Sequence, residues 1–281
     1  MARKTSPIED EIGDVLEKAI RQRQWTTVDL ATATGICQQR LQDVLDYRSD
    51  LSRREVLKIA EVLDLNEVGL CALNSGHYPL PTPVELPFAL HVVPMCHGVG
   101  QVNAYVVTHG ADAGKGLLFD TGPNVEALLA AWPATVAAIE AVFLTHVEGE
   151  HTGGLCDVVD YFGIKTARIP AAATAPCGSA MPESETYEWQ GLVVSALATP
   201  GHAAAHSCYL VRTTKPQDTA LLIAGDLIFA GSAGGAFYDA HLQQAHLKRI
   251  LALCREDTVI APGHGPLTTV RNERLFNPFS V

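Results

Sequence analysis

Two hydrophobic periodicities divide the chain. In the first 75 residues apolar side chains recur at helical spacing. Ile8, Ile12, Val15, Leu16, Ala19 and Ile20 share one face and predict a helix over 8–23. Thr26 or Thr27 caps a second helix over 28–34 that Gly35 ends. A third, over roughly 37–46, turns Leu41, Val44 and Leu45 inward; a fourth over 51–65 is capped by Ser52, and a short fifth covers 66–73. Four prolines within 74–87 then predict a semi-rigid linker, drawn at 76–87. Beyond it the pattern is mixed. Strand-like runs lie at 88–94, 101–107, 116–120, 141–145, 192–198, 207–212, 219–224 and 258–261, and helical stretches near 123–131, 152–162 and 239–254. Residues 170–186, rich in Ala and Pro, read as a loop that no core pattern claims.

Composition narrows the class. At 281 residues, 47% apolar and 18% charged, the chain is globular, with room for one large domain and one small one. A net charge of −11 argues against a surface that coats nucleic acid. Seven cysteines, an odd number without a C-x-x-C pair, point to reduced thiols in a cytoplasm. The N-terminus shows no secretory h-region and the chain no eighteen-residue apolar run, so no membrane partner is expected.

The chemistry concentrates where apolar strands stop. After Val142-Phe143-Leu144-Thr145 come His146, Glu148, Glu150 and His151, four ligand-type side chains within six residues, followed by Gly153-Gly154. His202 in Thr199-Pro200-Gly201-His202, Asp226 in Ala224-Gly225-Asp226 and His264 in Pro262-Gly263-His264 each follow a similar strand and are flanked by Gly or Pro. Side chains released at strand ends converge on one point more readily than helix-locked ones. Seven His, Asp and Glu donors suit two metal ions sharing a bridging carboxylate.

This series resembles the metallo-β-lactamase superfamily over residues 88–281. Val102-Asn103-Ala104-Tyr105 and Phe119-Asp120-Thr121-Gly122 match as supporting pieces. The resemblance implies an α+β fold, an αββα sandwich with two metals at one edge of its sheets. The family's usual first motif is H-x-H-x-D-H, whereas this chain has His146-x-Glu148-x-Glu150-His151. Glu at the second place resembles the flavodiiron branch, whose metals are iron. By that analogy His146, Glu148 and His202 hold one ion, Glu150, His151 and His264 the other, and Asp226 bridges them. Glu150 and Asp226 are the expected catalytic groups, with His97 as a loop residue facing the site.

Charge favours the same metal. Three carboxylates against two divalent ions leave a formal +1, weakening Lewis acidity and stabilising a ferric state. Iron is therefore expected ahead of zinc or manganese, with O₂ or NO as the small-molecule ligand. No flavodoxin-like segment follows, so a sustained reductase needs an external electron donor. Two other readings stand beside this one: a zinc hydrolase of lactones, thioesters or phosphodiesters, and a ligand-responsive regulator without turnover.

Residues 1–75 resemble the lambda-repressor-like helix-turn-helix family, through Val28-Asp29-Leu30-Ala31, Gly35 and Leu57-Lys58-Ile59-Ala60. The resemblance implies a homodimer that meets DNA. Gln38, Gln39, Arg40 and Gln42 would face base edges, and Arg3, Lys4, Arg21, Arg23, Arg53 and Arg54 would meet phosphates. A protein-docking module is the alternative for this net acidic segment.

Overall fold

Capping chemistry sets the helix boundaries of the N-terminal unit. The computed structural model describes residues 8–98, 100–110, 114–183 and 185–281, so Arg3 and Lys4 lie outside the described residues. Helix α1 (Ile12–Gln22) starts later than apolar spacing suggests, because the Glu11 N–H donates to Asp14 (2.7 Å) and closes the first turn there. Helix α2 (Thr27–Thr34) is capped by the Thr26 hydroxyl, which accepts from the Asp29 N–H. It ends at Gly35, whose φ of 71° suits glycine. Helices α3 (Gln38–Leu45), α4 (Arg53–Leu63, capped by Ser52) and α5 (Glu67–Asn74, capped by Asn66) follow.

The strands form two six-stranded sheets. The first holds β1 (Ala89–His97), β2 (Gly100–Thr108), β3 (Lys115–Phe119), β4 (Ala138–Phe143), β5 (Thr166–Pro170) and β6 (Ser179–Met181) in that spatial order. The second runs β12 (Thr268–Thr269), β11 (Val259–Pro262), β10 (Leu221–Gly225), β9 (Ser207–Thr213), β8 (Leu192–Ala198), β7 (Thr186–Trp189). Period-two alternation sends Tyr105 and Val107 of β2 into the core between the sheets, beside Phe119, Phe143, Tyr209 and Ile223. Val102, Ala104 and Val106 of the same strand face the other way, toward α6 (Val125–Ala130) and α8 (Leu155–Phe162). The outer face of the second sheet is covered by α9 (Ala240–Leu253), α10 (Val270–Phe276) and the N-terminal helices, in one continuous apolar cluster. The helical unit therefore sits on the sheet rather than hanging from a linker. Helix α5 docks against the C-terminal segment so closely that a Cβ on Gly69 would lie 1.9 Å from the Phe276 carbonyl oxygen.

The linker is pinned too. Tyr78 is buried, and its hydroxyl donates to the fully buried Glu273 of α10 (2.9 Å). Residues 170–186, expected to be a loop, contribute β6 and the ends of β5 and β7, and Met181 is buried. The expectation of reduced thiols is corrected at one pair: Cys156 of α8 and Cys177 form a disulfide, with Cα atoms 5.8 Å apart. The remaining five cysteines are free. Among the described residues no helix is long and apolar enough to cross a membrane.

Candidate metal centre

Four connections at one edge of the two sheets converge. The segment after β4 supplies His146 and Glu148, and the short helix α7 (Gly149–Thr152) supplies Glu150 and His151. His202 comes from the β8–β9 loop, Asp226 from the end of β10 and His264 from the end of β11. The seven side chains fall into two groups, each with ligand atoms within 4.8 Å of one another: His146, Glu148 and His202; and Glu150, His151, Asp226 and His264. Asp226 faces both, with Oδ2 3.7 Å from His202 Nε2 and 3.5 Å from His264 Nε2. Its Oδ1 lies 3.5 Å from His151 Nε2.

The hydrogen bonds behind the four imidazoles decide which nitrogen faces the cleft. Nδ1 of His202 donates to the Gly235 carbonyl (2.7 Å), and Nδ1 of His264 to the Gln101 carbonyl (2.7 Å). Nδ1 of His151 donates to Asp120 (3.2 Å), and Nδ1 of His146 to the Thr145 hydroxyl (2.9 Å), which itself donates to Asp120 (2.8 Å). With every Nδ1 donating away from the cleft, every Nε2 points toward the same space. Nε2 of His146 and His151 and Oδ1 of Asp226 are buried there without a hydrogen-bond partner, and Nε2 of His202 lies 3.1 Å from Glu148 Oε1. Buried polar atoms left unpaired are costly, and a cation among them removes that cost. The donor set, four imidazoles and three carboxylates, therefore fits two metal ions.

The backbone is shaped to the same end. Gly263 lies against the centre: a Cβ there would stand 2.1 Å from Asp226 Oδ1 and 2.9 Å from His151 Cε1. Burial alone would raise the pKa of Asp226, but the surrounding His151, His264, His146 and His202 outweigh it and hold the carboxyl below its ordinary range. Burial, and then the neighbouring His151, push His146 far below the usual imidazole range.

Other expected residues are placed as follows. His97 ends β1 at the cleft rim, half exposed, with Nε2 3.7 Å from Glu150 Oε2. Gln38 and Gln39 are exposed on α3, while Gln42 is half-buried and donates to Asp46 (2.9 Å). The Arg40 guanidinium is tied within the helical unit to Glu55 (3.2 Å), Ser49 (2.7 Å) and the Asp50 carbonyl. Arg23 stacks over Trp25 at 5.7 Å.

Sequence reasoning left two residues of the centre without a role. Asp120, at the end of β3 with a φ of 59°, holds both Thr145 and His151. His206 is buried and accepts the Asp226 backbone N–H on Nε2 (3.2 Å), while its Nδ1 donates to Thr199 (2.8 Å). Burial pushes its pKa down to about 3, in keeping with a neutral acceptor. The signal was present in both cases: each stands at a strand end, where the ligands also stand.

Comparison with known proteins agrees with this architecture. The B3 metallo-β-lactamase BLEG-1 superposes with a TM-score of 0.55 at 27% identity, over 69% of this chain and 100% of that one. ETHE1 from Myxococcus xanthus gives 0.56 at 19% identity, over 67% and 83% of the two chains, a likeness of fold. TTHA1623 in a di-iron-bound form gives 0.50 at 30% identity, over 66% and 98%. The family profile described as the metallo-beta-lactamase superfamily matches residues 97–264, which runs from the end of β1 through the last of the seven convergent side chains. By sequence profile, fold and site, this chain belongs to the metallo-β-lactamase superfamily.

Proposed function

We propose that the chain is a dinuclear iron protein that binds, senses or reduces a small diatomic such as O₂ or NO. The observation that carries this reading is the ring of four Nε2 atoms, fixed by hydrogen bonds from behind and joined by three carboxylates, two of them glutamates in the first motif. When bound, an iron pair supplies electrons and open coordination positions to the small ligand. The residues of the chain do the rest. Asp226 faces both metal groups and keeps them close, Asp120 and Thr145 orient His151 and His146, and Glu148 adds an anionic oxygen that favours the ferric state. His97, beside Glu150 at the rim, can hold a proton near the ligand. Sustained reduction draws on an external electron donor; sensing does not. The 30% identity to a protein crystallised in a di-iron-bound form supports the choice of metal.

Gln38 and Gln39 of α3 remain exposed, which supports a nucleic-acid-facing role for the helical unit. The second reading is a zinc hydrolase, favoured by the 27% identity to the whole of a B3 metallo-β-lactamase. Metal analysis and optical spectra separate the two. Protein purified anaerobically from iron-replete cells, without added metal, is expected to contain iron and to develop visible bands with NO. Colourless zinc protein that ignores NO and turns over esters establishes the hydrolase instead.

A further inference from the structure

The metal cleft has a wall that the family match does not include. The matched region starts at residue 97, yet α1 and the residues before it line the cavity, of about 250 Å³, opposite Glu150, His202, Asp226 and His264. Helix α1 is held there by specific contacts. Lys18 Nζ donates to the Ala233 carbonyl (2.8 Å), pairs with Asp10 and lies 5.2 Å from the centre of the Phe229 ring. One turn further on, the Arg21 guanidinium lies 5.9 Å from the Phe237 ring centre.

The charges on this wall do not cancel. Lys18 offsets Asp10, and Arg21 pairs with Glu17 at 2.8 Å, which leaves Glu9 and Asp14 in excess. Asp14 is engaged by the Tyr47 hydroxyl and the Glu11 N–H. Glu9 stands nearest the centre: Oε1 is 3.9 Å from His264 Nδ1, and no hydrogen bond to it is made among the described residues. The chain makes room for it. A Cβ on Gly265, where φ is +76°, would come 3.2 Å from Glu9 Cβ, and one on Gly100 3.7 Å from Glu9 Oε1.

We propose that Glu9 is a specificity-determining residue: with the acidic face of α1 it imposes a negative field on the cleft, so that the centre accepts small uncharged ligands and disfavours anions. This inference rests on the dinuclear reading above and names the class of ligand that reading needs. Two divalent ions against three carboxylates leave a formal +1, and Glu9 with Asp14 brings the cleft to −1, the wrong sign for gripping a phosphodiester or a carboxylate.

The test uses the full chain loaded with cobalt(II), whose visible spectrum reports ligand binding. Azide is the anionic probe and imidazole the uncharged one. Titrations are run well above neutral pH, because burial raises the pKa of Glu9. Glu9→Gln is expected to bind azide about five-fold more tightly than the natural chain at low salt, the size expected of one carboxylate across a solvent-lined cleft. The difference should shrink at about 1 M salt, where screening acts within a few ångströms. Imidazole affinity should not move. An unchanged azide affinity, or equal shifts for azide and imidazole, overturns the filter and leaves the metal centre standing. A chain that takes up no cobalt overturns the dinuclear reading and the filter with it.

Discussion

Substituting Gly263 with alanine adds one methyl group at the point where the two metal groups meet. The backbone accepts the change, because Gly263 is not among the positive-φ glycines. The conflict is steric and local. The new Cβ would stand 2.1 Å from Asp226 Oδ1, 2.9 Å from His151 Cε1 and 3.2 Å from the Gly225 carbonyl carbon. Restoring even a 3.0 Å contact requires the carboxylate to retreat by about 0.9 Å, the difference between 3.0 and 2.1. Metal sites tolerate errors of roughly 0.2 Å in ligand distance, so the shared carboxylate leaves at least one group. Overpacking of this kind costs a fold about 1–3 kcal/mol, which a chain of this size survives. Gly149→Ala is the control: it lies between Glu148 and Glu150, but its Cβ would meet nothing within 4 Å. The assay is metal retained after dialysis against a graded chelator, with thermal unfolding of the metal-free proteins alongside. Gly263→Ala should lose metal affinity by ten-fold or more while Gly149→Ala retains it. Equal retention by both would refute the placement of Asp226 between two ions.

Asp120→Asn removes the negative charge and turns one of the two accepting oxygens into an N–H donor, so His151 Nδ1 and Thr145 can no longer all be satisfied, and metal binding should weaken about 10- to 100-fold, read by the same chelator competition. In metal-free protein two buried histidines pull stability in opposite directions with pH. Burial lowers the folded pKa of His206 to about 3, so its contribution is complete above the unfolded value of about 6.5 and is lost as pH falls toward 3. His151 works oppositely. Burial opposes the shift, but Asp226 and Asp120 raise its pKa to about 9, giving stability that is present below about 6.5 and lost as pH rises through 9. Each should therefore add a limb of up to ~1.4 kcal/mol per pH unit to the stability of the metal-free chain, His206 on the acid side of about pH 6.5 and His151 on the alkaline side. His206→Phe should flatten the acid limb alone, and a profile unaltered by that change contradicts the assignment. In the helical unit, Arg40→Ala should cost ~1 kcal/mol through lost ties to Glu55 and Ser49, whereas Gln38→Ala with Gln39→Ala should leave the melting temperature in place. If α3 faces DNA, the double change lowers affinity for duplex in a gel-shift assay; an unaltered shift argues for another partner.

Long-range periodicity and strand-end chemistry were legible in the sequence. The interior strands β2, β3, β4 and β8–β11 carry near-continuous apolar runs, and each ligand follows one of them, so both element and ligand could be found together. Short edge strands were not legible. Ser179–Met181 has only three residues, and its place is set by β5 beside it rather than by its own pattern. The Cys156–Cys177 pairing was hidden for a related reason: it depends on α8 packing beside the β5–β6 connection, which no spacing of 21 residues announces. Helix α10 escaped because it buries Glu273 and Asn272, polar residues satisfied by Tyr78, Thr268 and Asn277, where an apolar stripe would ordinarily mark a packed helix. The docking of α1 against the metal cleft also lay beyond the sequence. Lys18 and Glu9 carry no pattern that points there, and Arg21, expected to meet phosphates, lies over the Phe237 ring beside the cleft.

The account turns on the number of ions the chain holds. Metal-free protein titrated anaerobically with ferrous iron, and measured by elemental analysis after gel filtration, should bind two ions per chain. The Asp226→Ala protein should lose that stoichiometry while keeping its fold by circular dichroism. A natural chain that retains no iron, or one that retains two ions with Asp226 removed, would contradict the centre described here.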